Sequence, residues 1–207
     1  MKERLMKKLT LFAAMAISAI SLGKGYIQDW TPKLPPWASI VYSCDKPVPY
    51  RLVAADDFTL DFELPVTNIN WWGVVTTKEQ LSRPYYIAIY KENGNCQPAW
   101  TSIIWSDCVK PYQAELAGED CKGNRVWKFY SNVPIFNPLT LGPGHYWLQI
   151  SESDKDSYKP GAVDFWWSSH QQFVKCPALQ MDSLGNIFQP LIDPCNQKID
   201  DLAFEIY

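Results

Sequence analysis

The chain reads as an all-β protein, an antiparallel β-sandwich of jelly-roll-like type stabilised by disulfides. Three observations predict it. Short runs rich in aromatic and β-branched residues recur between turn signals such as Glu92-Asn93-Gly94-Asn95, Gly123-Asn124 and Gly142-Pro143-Gly144. The one helix-like patch, residues 77–81, is a single turn at most. Six cysteines follow an amino-terminal export pattern, an even count that reads as a set of disulfides.

The export pattern comes first along the chain. Residues 1–8 carry Lys2, Arg4, Lys7 and Lys8, residues 9–22 are apolar apart from Thr10, Ser18 and Ser21, and the small Gly23 follows. A basic start, an apolar stretch and small residues make a secretory signal peptide over residues 1–25. The apolar run falls short of the roughly 20 residues an uninterrupted membrane span needs. No later stretch is apolar enough to cross a bilayer, so the mature chain is expected to be secreted, with no membrane span.

Cleavage changes the charge. Residues 1–25 hold five of the 19 basic and one of the 22 acidic residues, leaving 14 against 21, a net of −7. An acidic chain argues against a nucleic-acid partner, which requires a basic face. The remaining length suits one domain able to bury about 70% of its unfolded surface.

Residues 26–49, rich in Pro and Trp and without a period, read as an extended lead-in to a sandwich domain over residues 50–207. Within the stretch AADDFTLDFELPVTNINWWG, residues 54–73, alternation puts Phe58, Leu60 and Phe62 on one face and Thr59, Asp61 and Glu63 on the other. Strands are expected at 51–62, 68–75, 85–91, 100–106, 126–132, 145–152, 163–168 and 202–207. The inward set is Phe58, Leu60, Phe62, Ile87, Ile89, Trp147, Ile150, Leu202 and Phe204. Trp147 and Ile150 cannot share a face in an unbulged strand.

The ordered motifs Ala55-Asp56-Asp57-Phe58, Ile69-Asn70-Trp71-Trp72-Gly73, Gly144-His145-Tyr146-Trp147-Leu148-Gln149-Ile150, Phe165-Trp166-Trp167 and Asp201-Leu202-Ala203-Phe204-Glu205 resemble a group of bacterial secreted and surface modules of unassigned function. These open with an "ADDF" strand and close with "DLAFEL". The resemblance spans residues 51–207. It implies an extracellular jelly roll and supplies no catalytic residue.

Ten tryptophans are the main functional lead. Indole faces stack on the apolar faces of sugar rings, and they also fill sandwich cores. In Trp71-Trp72 and Trp166-Trp167, alternation sends one ring inward and its neighbour outward. The outward ring of each pair, with Asn70 and His170 nearby in sequence, forms the expected contact for a glycan or surface polymer.

Asp56-Asp57 and Asp200-Asp201 lie near the first and last core strands, which often pair in jelly rolls. Together their oxygens would suit a structural calcium ion; the alternative is that they accept backbone amides at strand ends. Local spacing of the cysteines favours Cys108–Cys121 and Cys176–Cys195, leaving Cys44–Cys96. No nucleophile elbow, metalloprotease helix or phosphate-binding glycine loop is present. His145 follows Gly144 and reads as an exposed turn residue. The expected class is therefore a non-catalytic extracellular binding module. A structural or adhesive surface protein is the alternative, and a two-carboxylate glycoside hydrolase is the remaining enzyme class.

Overall fold

The computed structural model describes residues 25–39, 53–153, 165–170, 175–181, 188–192 and 198–207. Apart from Gly25, the expected export signal lies outside the described residues, as do Cys44 and Cys195. The strands are β1 (Tyr26–Gln28), β2 (Pro36–Ala38), β3 (Val53–Leu60), β4 (Leu64–Val66), β5 (Asn68–Val75), β6 (Tyr85–Glu92), β7 (Pro98–Val109) and β8 (Gln113–Glu119). They continue as β9 (Arg125–Asn132), β10 (Leu139–Leu141), β11 (Gly144–Glu152), β12 (Phe165–His170), β13 (Leu179–Met181), β14 (Phe188–Pro190), β15 (Asp201–Leu202) and β16 (Phe204–Ile206). A single 3-10 turn, Glu79–Ser82, stands where one helical turn is expected. Among the described residues no helix is long and apolar enough to cross a membrane.

The strands form two main antiparallel sheets packed as a sandwich. One is centred on β5, with β9 paired along it from Asn68↔Asn132 to Val74↔Val126 and β8 outside β9. The other side of β5 is shared, by β16 in its first half and β12 in its second, with β1 and β2 beyond them. The opposing sheet runs β14-β13-β3-β11-β6-β7. Among the described strands β6–β7, β8–β9 and β13–β14 pair with their chain neighbours within a main sheet, whereas β3 to β5, β5 to β6, β7 to β8 and β11 to β12 change sheets. These crossings hold the two apolar faces against each other.

The core follows from the alternation. Phe58, Leu60, Ile87, Ile89, Ile150, Leu202 and Phe204 are buried in one cluster between the sheets. At one end Trp71 stacks on Phe129 with centroids 5.3 Å apart, and Tyr85 sits edge-on to Phe165 at 5.0 Å. Burying rings of this size contributes much of the stability of such a domain.

Four expectations need correction. Phe62 is 42% exposed, because β3 ends at Leu60 and Phe62 lies past the pleat. Trp147 is buried on the other face of its sheet, packed with Ala55, Tyr86, Ala88 and Tyr90, while Leu148 and Ile150 point into the main core. The lead-in is not separate, since β1 pairs with β16 and β2 with β12. Finally, Cys96 bonds to Cys176 across 80 residues, which replaces both Cys44–Cys96 and Cys176–Cys195. Local spacing misleads there because loop-closure entropy rises slowly with length, so strand order, not separation, decides which sulfurs meet. Cys108 and Cys121 are each disulfide-bonded as well.

Candidate binding site

Alternation sorts the four paired tryptophans as expected. Trp71 and Trp167 point inward and are fully buried, and the Trp167 indole N–H donates to the Ala203 carbonyl at 2.8 Å. Trp72 and Trp166 share the outer face of the β5 sheet with Val74, Val126, Ala203 and Trp30. They differ in access. Trp72 is only 6% exposed, and the Lys128 ammonium lies 4.3 Å from its ring centroid, a cation–π contact. Trp166 is half-buried and lines a cleft of about 500 Å³ with Thr76, Lys122, Asn124 and Arg125.

A second cleft of about 530 Å³ lies under Trp30, bounded by Lys33, Leu116, Glu119 and again Arg125. The Trp30 ring can lie against β8 because residue 118 is glycine. A Cβ at Gly118 would come within 2.8 Å of the ring.

The walls of the Trp166 cleft are pinned from behind. Buried Asp120 accepts the backbone N–H groups of Lys122 and Asn124 at 2.8 Å each and the Asn124 side-chain amide at 2.8 Å. The same turn is closed by Gly123 N–H donating to the Asp120 carbonyl, and Gly123 adopts φ +81, a left-handed conformation that suits glycine. Cys121 in this turn is held by a disulfide. On the opposite wall, Gln80 Oε1 accepts Thr76 N–H at 2.8 Å, Thr77 N–H at 2.7 Å and the Thr76 hydroxyl at 3.0 Å. Gln80 Nε2 in turn donates to Glu152. A cleft ordered before a ligand arrives loses less entropy on binding.

Asn70 lies on the same outer face, four residues from Val74, the β5 residue that pairs with Trp166. It is committed to a network. Its amide donates to Glu205 Oε2 at 2.9 Å, and Lys128 Nζ meets Glu205 Oε1 at 2.8 Å. Next to it, Tyr130 donates to Glu115, and burial with this hydrogen bond pushes its phenol up to about 12. His170 ends β12, and its ring meets the Asp29 carbonyl. The structure therefore brings Trp72 and Trp166 to one face but places Asn70 and His170 away from the cleft.

The aspartates divide between faces. Asp56 points into the core with Ala54, Phe58 and Leu60, whereas Asp57 points outward beside Ala55. Asp56 accepts from Leu202 N at 2.6 Å, Gln28 Nε2 at 2.9 Å and Asp57 N at 2.9 Å. Burial, reinforced by the neighbouring Asp201 carboxylate, holds Asp56 well above the usual carboxylate range. Asp201 accepts from Ala178 N at 3.3 Å. One member of each pair thus meets the other, and their oxygens serve backbone amides.

Asp57 joins a separate cluster that corrects the reading of His145 as an exposed turn residue. The His145 side chain is 9% exposed, and its Nε2 lies 2.5 Å from Asp57 Oδ2. Its Nδ1 faces Lys175 Nζ at 3.1 Å and Glu92 at 3.7 Å. Burial raises the Asp57 carboxyl and the His145 contact opposes that rise. Asp57, His145 and Cys176 come close, as do Glu92, Cys96 and Cys176, but both sulfurs are in the disulfide and provide no thiolate for a metal. Among the described residues His145 is held between Asp57 and Lys175, and no hydroxyl or thiol is hydrogen-bonded to it.

A family model described as a domain of unknown function, DUF7901, matches residues 30–207. The chain belongs to the DUF7901 family. The match starts at Trp30, so it takes in β2 and the residue whose ring covers the second cleft of this DUF7901 domain. No curated protein and no solved structure matches the chain.

Sequence reasoning singled out Trp166 but missed Trp30, Arg125, Lys122, Asn124 and Thr76. One signal was available: the turn at Gly123-Asn124 is flanked by Lys122 and Arg125 in an otherwise acidic chain.

Proposed function

We propose that this DUF7901 domain is a secreted, non-catalytic module that binds a glycan or cell-surface polymer in the cleft beside Trp166. The observation that carries the reading is that partly exposed ring, at a pinned cleft with Thr76, Asn124 and Arg125 in reach of a bound sugar. Stacking on the indole supplies apolar contact, and the polar groups orient the hydroxyls. The disulfides suit an oxidising compartment. A non-catalytic role is supported by the placement of the acidic groups, since Asp56 and Asp201 meet in the closed core and not in a cleft. A glycan array probed with the mature protein tests this. Binding lost on Trp166→Ala, in a variant that stays folded at the assay temperature, supports the proposal. Binding that survives the substitution places the contact elsewhere.

One observation favours the adhesive alternative. The turn after β9 presents Ile135 and Phe136 at 97% and 87% exposure. It is held rigid by Asn137, whose amide donates to Asp107 at 2.9 Å and whose carbonyl accepts from the Trp105 indole at 2.9 Å. Retention on a target surface that is lost in Ile135→Ser/Phe136→Ser but kept in Trp166→Ala would favour that reading.

A further inference from the structure

We infer that the polymer held by this cleft is anionic, a polysaccharide bearing carboxylates as uronic acids do, and that Arg125 is the residue engaging the carboxylate. The inference rests on the cleft reading and specifies its ligand class.

Arg125 stands exposed at the start of β9 and lines three adjoining clefts. These are the one beside Trp166, the one under Trp30, and a smaller one of about 130 Å³ walled by Trp127 and Leu81. The charged residues lining the three are Lys33, Lys78, Lys122 and Arg125 against Glu119. That is four positive and one negative, a local excess of three positive charges on a chain whose formal net charge is −3. Glu119 is itself shared with Lys33, at 3.9 Å. Among the described residues, Arg125 and Lys122 enter no ion pair.

A neutral sugar would leave this surplus unused. A carboxylate matches it, because the guanidinium is a planar fork of donors that pairs with two oxygens at once. Trp166 and Trp30 flank the same arginine, so a sugar ring stacked on either places a ring substituent near Arg125. Three clefts around one cation fit several consecutive residues of a polymer better than one monosaccharide. The pinned 120–124 turn holds Lys122 beside the site.

The test is calorimetric titration of the mature, disulfide-intact chain. The acidic probes are polygalacturonate, alginate and hyaluronate, each run against its fully methyl-esterified, uncharged form, with dextran sulfate as a polyanion of different chemistry. We expect at least tenfold tighter binding of one acidic polymer than of its ester, weakening as salt rises. Arg125→Gln should remove most of the difference between acid and ester, whereas Trp166→Ala should weaken both and keep the difference. Arg125 is exposed, and a circular dichroism spectrum confirms that its variant folds. Equal affinity for acid and ester overturns the anionic inference and leaves the cleft reading standing. Failure of all three polymers in both forms overturns the anionic inference, and the glycan array then decides the cleft reading. Binding that includes dextran sulfate and is indifferent to Trp166→Ala reduces the effect to general charge attraction and also overturns both.

Discussion

A carboxylate oxygen of Asp56 accepts the backbone N–H of Leu202 at 2.6 Å, tying the first long strand of one sheet to the closing segment of the other inside the core. The acid is fully buried and close to Asp201, so its proton is held more tightly in the folded chain than in the unfolded one. Below the ordinary carboxylate range, near pH 4, both states keep the proton and the fold carries no penalty. As the pH rises through that range the unfolded chain ionises first, and stability falls until the raised folded value is passed. The slope for one such group reaches about 1.4 kcal/mol per pH unit. Asp56→Asn should flatten it, as measured by urea unfolding from pH 4 to 8. Parallel curves for the two proteins would show that Asp56 is not the group responsible.

The Cys96–Cys176 bridge closes 80 residues. On the chain-entropy estimate its loss costs up to about 4.5 kcal/mol, and less where other bridges already shorten the loop. A Cys96→Ala/Cys176→Ala variant should unfold at markedly lower denaturant concentration. Peptide mapping without reduction should recover the two cysteines in one linked pair. A map that joins Cys96 to Cys44 would overturn the assignment.

The inward and outward tryptophans should respond oppositely. Trp71→Ala removes a fully buried ring stacked on Phe129 and should cost about 3–5 kcal/mol. Trp166→Ala removes a partly exposed ring and should cost about 1 kcal/mol. Guanidinium unfolding of the two variants side by side measures the difference. Similar losses would contradict the assignment of faces.

Asp120→Ala tests the pinned turn. It strips the acceptor from three donors, Lys122 N, Asn124 N and the Asn124 amide. The expected destabilisation is about 1–3 kcal/mol. Ligand affinity should fall although Asp120 itself is buried behind the cleft. Affinity unchanged in a properly folded variant would separate the turn from the site.

Much of the fold was legible because strand periodicity is local. Residues 68–75 were read as a strand from their own sequence and form β5 with those bounds. The strand β8 was not legible. Its sequence QAELAGE has no β-branched or aromatic residue, and it exists as a largely exposed edge paired to β9. Of the candidate site, Trp166 was readable as an outward ring, but its difference from Trp72 was not, because that depends on Lys128 from β9 covering one ring and an open cleft beside the other.

The sequence by itself determined the sandwich class, the inward set around Phe58, Ile87 and Phe204, and the rule that one ring of each Trp pair faces the core. All three follow from side chains alternating along a single strand. Tertiary structure alone decided that Cys96 meets Cys176, that Asp56 meets Asp201, and that Arg125 stands among three clefts. Those relationships depend on which strands become neighbours. Neighbourhood is set by the packing of both sheets at once, not by any property of the chain within one strand's length.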